Sequence, residues 1–188
     1  MRLGAVVVLA LVATACAAPA VPRAPSTTAA SPVPSSSSIG TTLRPVGATE
    51  VARVVRVVDG DTLVIDRGHG NERLRYIGMD TPETVKQGSP VESMGREASA
   101  ANAALVEGRE IVLERDVSET DQYDRLLRYA WLRDGDAWLM VNLELVRQGY
   151  AQVATYPPDV RWVDELRDAE RAARDAGEGL WGSATPLP

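Results

Sequence analysis

Two short stretches carry most of the side chains that could do chemistry. The first is Arg75-Tyr76-Ile77-Gly78-Met79-Asp80-Thr81-Pro82-Glu83. An apolar, strand-like run bearing one arginine ends at Asp-Thr-Pro-Glu, where Pro82 stops regular structure. A cation at 75 and carboxylates at 80 and 83 therefore gather at one strand end. The second is Asp59-Gly60-Asp61-Thr62. Asp59 and Gly60 are accounted for by a turn, but Asp61 lies just past it in an otherwise apolar run. Hairpin geometry can carry Asp61 to the end of a neighbouring strand, near Asp80. Two carboxylates with a main-chain oxygen and waters suit a hard, oxygen-seeking cation such as calcium, which takes about six to eight oxygens. An arginine beside them can fork onto phosphate. A third stretch, Asp121-Gln122-Tyr123-Asp124-Arg125, adds a second arginine, and near Arg75 the two would clamp one phosphate. Taken singly, each stretch also reads as a charged surface turn.

The elements that must position these groups follow from pattern. Val51–Val58 is a β-branched run, and Asp59-Gly60 between it and Leu63-Val64-Ile65 signals a hairpin whose turn residues favour φ > 0. Arg67-Gly68-His69-Gly70-Asn71 is a second turn into a strand over 72–78. The three strands form a meander whose last member ends at Asp80. His69, the only histidine, sits between glycines and reads as exposed and idle. Residues 84–92 read as loop. Ser93 opens a predicted helix to about Glu107, with Met94, Ala98, Ala101, Leu105 and Val106 as its apolar stripe. Strands follow at 111–113 and 126–132, and Asp134-Gly135-Asp136 turns the latter back toward Trp138-Leu139. Helices are predicted over 140–148, stopped by Gly149, and over 161–176, stopped by Gly177. Trp181 then tucks back as an anchor. Meander, helix, two strands, then helices predicts an α+β domain, a small barrel with about three flanking helices.

Composition bounds the rest. The chain has 188 residues and 45% hydrophobic content, enough for one domain with extensions. Residues 49–188 hold 17 basic and 26 acidic side chains, a net charge of −9. That balance opposes unaided approach of polyanions, so a nucleic-acid role needs local arginines and a cation. Lys86 is the only lysine. Residues 1–15, a charged start and a short apolar run, read as a signal peptide too short to span a bilayer comfortably. Ala13-Thr14-Ala15-Cys16 resembles a bacterial lipoprotein box, with alanine at 13 where leucine is usual. It predicts either a lipid anchor on Cys16, the only cysteine, or ordinary secretion; both are extracellular. Residues 16–48 are Pro-, Ser-, Thr- and Ala-rich and read as a disordered linker. The folded domain is predicted over 49–182, with 183–188 a tail.

Taken together, Asp59-Gly60-Asp61-Thr62, Arg75 with Asp80-Thr81-Pro82-Glu83, Gly95-Arg96-Glu97-Ala98-Ser99-Ala100, Asp121-Gln122-Tyr123-Asp124-Arg125 and Leu145-Val146-Arg147-Gln148-Gly149 resemble the thermonuclease, or staphylococcal-nuclease-like, family. The similarity runs from about Val51 to Trp181, and the ordered set is highly specific. The resemblance implies a five-stranded OB Greek-key barrel and calcium-dependent hydrolysis of DNA and RNA by a monomer. It implies Asp61 and Asp80 as calcium carboxylates, with Thr81 as a ligand through its main-chain carbonyl. Glu83 corresponds to the general base, Arg75 and Arg125 to the phosphate-binding pair, and Tyr123 and Tyr156 to substrate contacts. The chain departs from the founding members at Asp124, where they have glycine, and at Thr155, where they have tyrosine. Their lysine-rich loop is here Gln87-Gly88-Ser89-Pro90. The alternative is a non-catalytic OB module on the cell envelope that binds single strands or peptides.

Overall fold

The computed structural model describes residues 43–82 and 94–182. The signal segment, Cys16, most of the linker, Glu83, Ser93, the 84–92 loop and the tail lie outside the described residues. Strand β1 (Thr49–Val57) alternates exposed Val51, Arg53 and Val55 with buried Ala52 and Val54 and turns into β2 (Thr62–Asp66), then β3 (Asn71–Tyr76). After β4 (Met79–Asp80) and helix α1 (Gly95–Val106) come β5 (Glu110–Glu114), β6 (Leu126–Asp134) and β7 (Ala137–Met140). Helix α2 (Val141–Arg147), β8 (Gln152–Val153), α3 (Val163–Ala176) and a 3₁₀ turn at Gly179–Trp181 complete the described chain.

β1 pairs antiparallel with β2 and with β5, β2 with β3, and β5 with β6. β3 then pairs parallel with β6, Leu74 opposite Leu126 and Arg75 opposite Leu127. These pairings form a ring of five strands, β1-β2-β3-β6-β5, which is the OB arrangement. A bulge between Val54 and Arg56 lets β1 bend from one partner to the other. Val54, Leu63, Ile65, Leu74, Leu113, Tyr129, Ala130 and Trp131 fill the interior, and Val141, Leu145 and Leu166 close over it from α2 and α3. Each large apolar side chain so buried contributes roughly 1.5–3 kcal/mol. Packing extends back to Leu43.

Local readings change in four places. Gly60 does not adopt positive φ; it is needed for space, because a Cβ there would stand 2.6 Å from the Thr81 hydroxyl. The third strand stops at Tyr76 rather than Gly78. Gly78 takes φ 82° with Leu166 against it, and the chain restarts as β4, which pairs with β8. Helix α1 begins at Gly95 behind a left-handed Met94. Helix α3 begins at Val163, because Trp162 is withdrawn into the core against Trp131, ring centroids 5.5 Å apart.

Candidate active site

The site is built where the β1–β2 turn meets the end of β3. Val58 and Asp59 both donate their amide N–H to the Thr62 carbonyl, closing a tight turn. The Asp59 carboxylate accepts the Asp61 N–H at 3.1 Å. Tyr76 donates its N–H to the Asp61 carbonyl at 2.9 Å, which locks the turn to β3. From below, Asn102 of α1 accepts the Tyr76 hydroxyl and donates its amide to the Asp59 carbonyl. Asn102 is fully buried and anchors the turn from the helix. The apolar-stripe reading passed over it, although its spacing of four from Ala98 and Val106 puts it on the same face.

This scaffold fixes a carboxylate–arginine–carboxylate bridge. Arg75 donates through Nη1 to Asp61 Oδ1 and through Nη2 to Asp80 Oδ1, each at 2.5 Å. Asp61 Oδ1 also accepts the Thr62 hydroxyl, and Oδ2 accepts both the N–H and the hydroxyl of Thr81 at 3.1 Å. The Asp61 side chain is 3% exposed and that of Asp80 57%. Burial pushes the Asp61 carboxyl up to about 7; Arg75 pulls against that shift, and neighbouring Asp59 reinforces it. Burial also works against the charge of Arg75, but Asp61 and Asp80 outweigh it and hold Arg75 above its ordinary value.

Arg125 is held differently. The Asp121 carboxylate accepts its Nε and Nη2 at 2.6 Å, and also the N–H groups of Tyr123 and Arg125. Burial opposes the Asp121 charge, but these donors prevail and keep its carboxyl below the usual range. Asp124 closes this turn at φ 63°. That left-handed conformation accounts for glycine in the founding members, and aspartate is among the few residues that tolerate it. The turn brings the Arg125 guanidinium to 5.4 Å from the Tyr123 ring centroid.

The two arginines share one cleft of about 570 Å³ on the outer wall of β3 and β6. Arg75, Arg125, Tyr123 and Tyr156 all line it, with Ile77, Gly78 and Leu127 as its floor. Both tyrosines are well exposed. Tyr156 is carried by a turn that Asp159 pins, its carboxylate accepting the Val117 and Ser118 N–H groups at 2.9 and 2.8 Å. The structure thus brings Asp61, Asp80, Thr81 and Arg75 together, and joins Arg75 to Arg125, Tyr123 and Tyr156 across the cleft. Glu83 lies outside the described residues. Among the described residues no group of three acidic, histidine or cysteine side chains forms a metal cluster. The donors that do meet, two carboxylates beside a threonine, are all oxygens, and Asp61 carries a burial penalty that a cation would offset. That donor set fits a hard cation and not a nitrogen- or sulfur-seeking one.

A five-stranded barrel that carries a carboxylate–arginine–carboxylate bridge beside a cleft lined by two arginines defines the class, an OB-fold protein. The sequence profile of the family described as "Staphylococcal nuclease homologue" matches residues 73–183. The thermonuclease of Staphylococcus hyicus is 35% identical over 131 residues, 70% of this chain and 75% of that protein. The thermonuclease of Staphylococcus intermedius is 38% identical over 128 residues, 68% and 74% of the two chains. Endonuclease YncB of Bacillus subtilis is 34% identical over 131 residues, 69% of this chain and 60% of its own. The chain belongs to the staphylococcal nuclease family.

Proposed function

We propose that this protein is an extracellular, calcium-dependent nuclease that hydrolyses phosphodiester bonds of DNA and RNA. The observation that carries the reading is the Arg75 bridge between Asp61 and Asp80, opening onto a cleft that also holds Arg125. The family and its named thermonuclease and endonuclease members support the same class of reaction.

Asp61 and Asp80 hold the cation, with Thr81 beside them. When bound, the ion supplies positive charge against the negative charge that develops on the phosphoryl oxygens. Arg75 and Arg125 grip the phosphate from two sides. A guanidinium has five N–H donors, so both keep donors to spare beyond their carboxylate partners. Tyr123 and Tyr156 on the rim position the adjoining nucleotide. Glu83, three residues beyond Asp80 in the chain, takes the proton of the attacking water, a contribution of roughly 10²–10⁴-fold. A lipid anchor on Cys16, or simple secretion, delivers the domain outside the cell as a monomer.

Digestion of plasmid and of ribosomal RNA in calcium, against the same reaction in chelator, tests this reading. It predicts cleavage of both substrates only with calcium. A protein that binds single strands but leaves both uncut would instead be the non-catalytic OB module.

A further inference from the structure

We propose that Arg56 and Arg73 extend the cleft into a track for the phosphates of a single nucleic-acid strand. The inference rests on the nuclease reading and names where the strand runs beyond the scissile bond.

The track follows from sheet register. On β3, Arg73 and Arg75 point to the outer face, since Leu74 and Tyr76 between and beyond them are buried inward. Across the sheet, Arg56 of β1 pairs with Val64 of β2, and Val64 with Arg73 of β3. Strand spacing sets the Arg56 and Arg73 backbones about 10 Å apart, with an apolar residue between them. On the other side of β3, Leu74 pairs with Leu126 in parallel, so the same register places Arg73 beside Arg125. Arg56, Arg73 and Arg125 therefore form one row across the barrel wall, and Arg75 stands one step along at the cleft.

Within this row Arg125 is held by Asp121, whereas Arg56 and Arg73 are uncommitted. Among the described residues neither Arg56 nor Arg73 has a carboxylate within ion-pair distance, and both are exposed. Elsewhere in the same sheet Arg67 is tied to Glu50 and Glu72, and Arg128 to Glu50 and Glu119. Arg53, also exposed on β1, stands between Asp66 and Glu110 in the ladder, so its field is largely cancelled. On a domain whose net charge of −9 repels polyanions at a distance, two arginines free of acidic partners, Arg56 and Arg73, leading to Arg75 and Arg125 supply local attraction.

The test compares kcat/KM on a dinucleotide and on a 12-residue single-stranded oligodeoxynucleotide across a salt series, with calcium. The proteins are wild type, the double variant Arg56→Gln/Arg73→Gln, and Arg53→Gln. We expect the double variant to lose about tenfold on the 12-mer at low salt but no more than about twofold on the dinucleotide. Its log–log salt slope on the 12-mer should be shallower by about 1.4, two phosphate contacts at about 0.7 each. Arg53→Gln should track wild type. A double variant with the wild-type slope, or with equal losses on both substrates, overturns the track. A wild-type protein inactive on both substrates would instead defeat the nuclease reading beneath it.

Discussion

Two carboxylate–arginine–carboxylate bridges in this barrel are built alike and open differently. In one, Arg161 joins buried Glu114 to Asp116, and also donates to the Arg115 carbonyl. In the other, Arg75 joins buried Asp61 to Asp80, and also reaches the Met79 carbonyl. Glu114 is 0% exposed and accepts the N–H groups of Val46 and Gly47, both indole N–H groups of Trp131 and Trp162, and Arg161. Its bridge ends at Asp116, 6% exposed, so both carboxylates stay inside while Arg161 is half-buried, and the assembly ties β5 and β6 to the start of α3. The Asp61 bridge ends at Asp80, 57% exposed, with Arg75 on the cleft wall. Burial of a carboxylate therefore does not mark a site by itself. What marks it is a bridge whose arginine lines a cavity and whose far carboxylate is open to solvent.

The largest effect expected to break this contrast is at the open end. Glu83→Gln should lower kcat by roughly 10²–10⁴-fold while calcium still binds. Steady-state kinetics beside calorimetry checks it, and near-wild-type turnover removes Glu83 from the base role. Arg125→Lys comes next, because an ammonium cannot reproduce the fork on phosphate. We expect kcat/KM to fall by about tenfold or more; equal values for lysine and arginine would count against bidentate contact. At the closed bridge, Glu114→Ala should cost about 3–5 kcal/mol of stability in urea unfolding, because Arg161 loses its buried partner. The folded fraction should keep its turnover number, and a loss of turnover without loss of stability would reverse the roles of the two bridges.

A smaller effect concerns pH. Folding raises the Asp61 carboxyl from its ordinary value to about 7, so the folded state holds a proton that the unfolded chain releases. The stability from this group is present below about pH 4 and is lost as pH rises toward 7. A bound cation replaces that proton, so calcium should raise Tm more at pH 8 than at pH 5. Equal shifts at both values would mean that calcium does not act through Asp61.

Much of this was legible in the sequence because short spacings survive folding. Asp80 lies five residues from Arg75, and the Asp59–Thr62 turn sits one strand away, so a hairpin suffices to bring them together. The barrel followed from a strand meander and two later strands. The parallel β3–β6 pairing that unites Arg75 with Arg125 was not legible, because nothing local in either strand announces a partner fifty residues away. Gly60 was legible as a turn but for another reason, since it makes room for Thr81 rather than supplying positive φ. Asn102 and Glu114 were missed for a common cause. Each is a polar residue in an apolar context whose partners are distant in sequence, and a pattern of one chain segment does not display them.

The account depends most on the Asp61–Asp80 pair being the cation site, and a calorimetric calcium titration at pH 8 of wild type beside Asp61→Asn tests it most directly. The account predicts saturable binding of one ion by the wild type and none measurable in the variant. Equal affinity in both proteins, or no binding by the wild type, would contradict it.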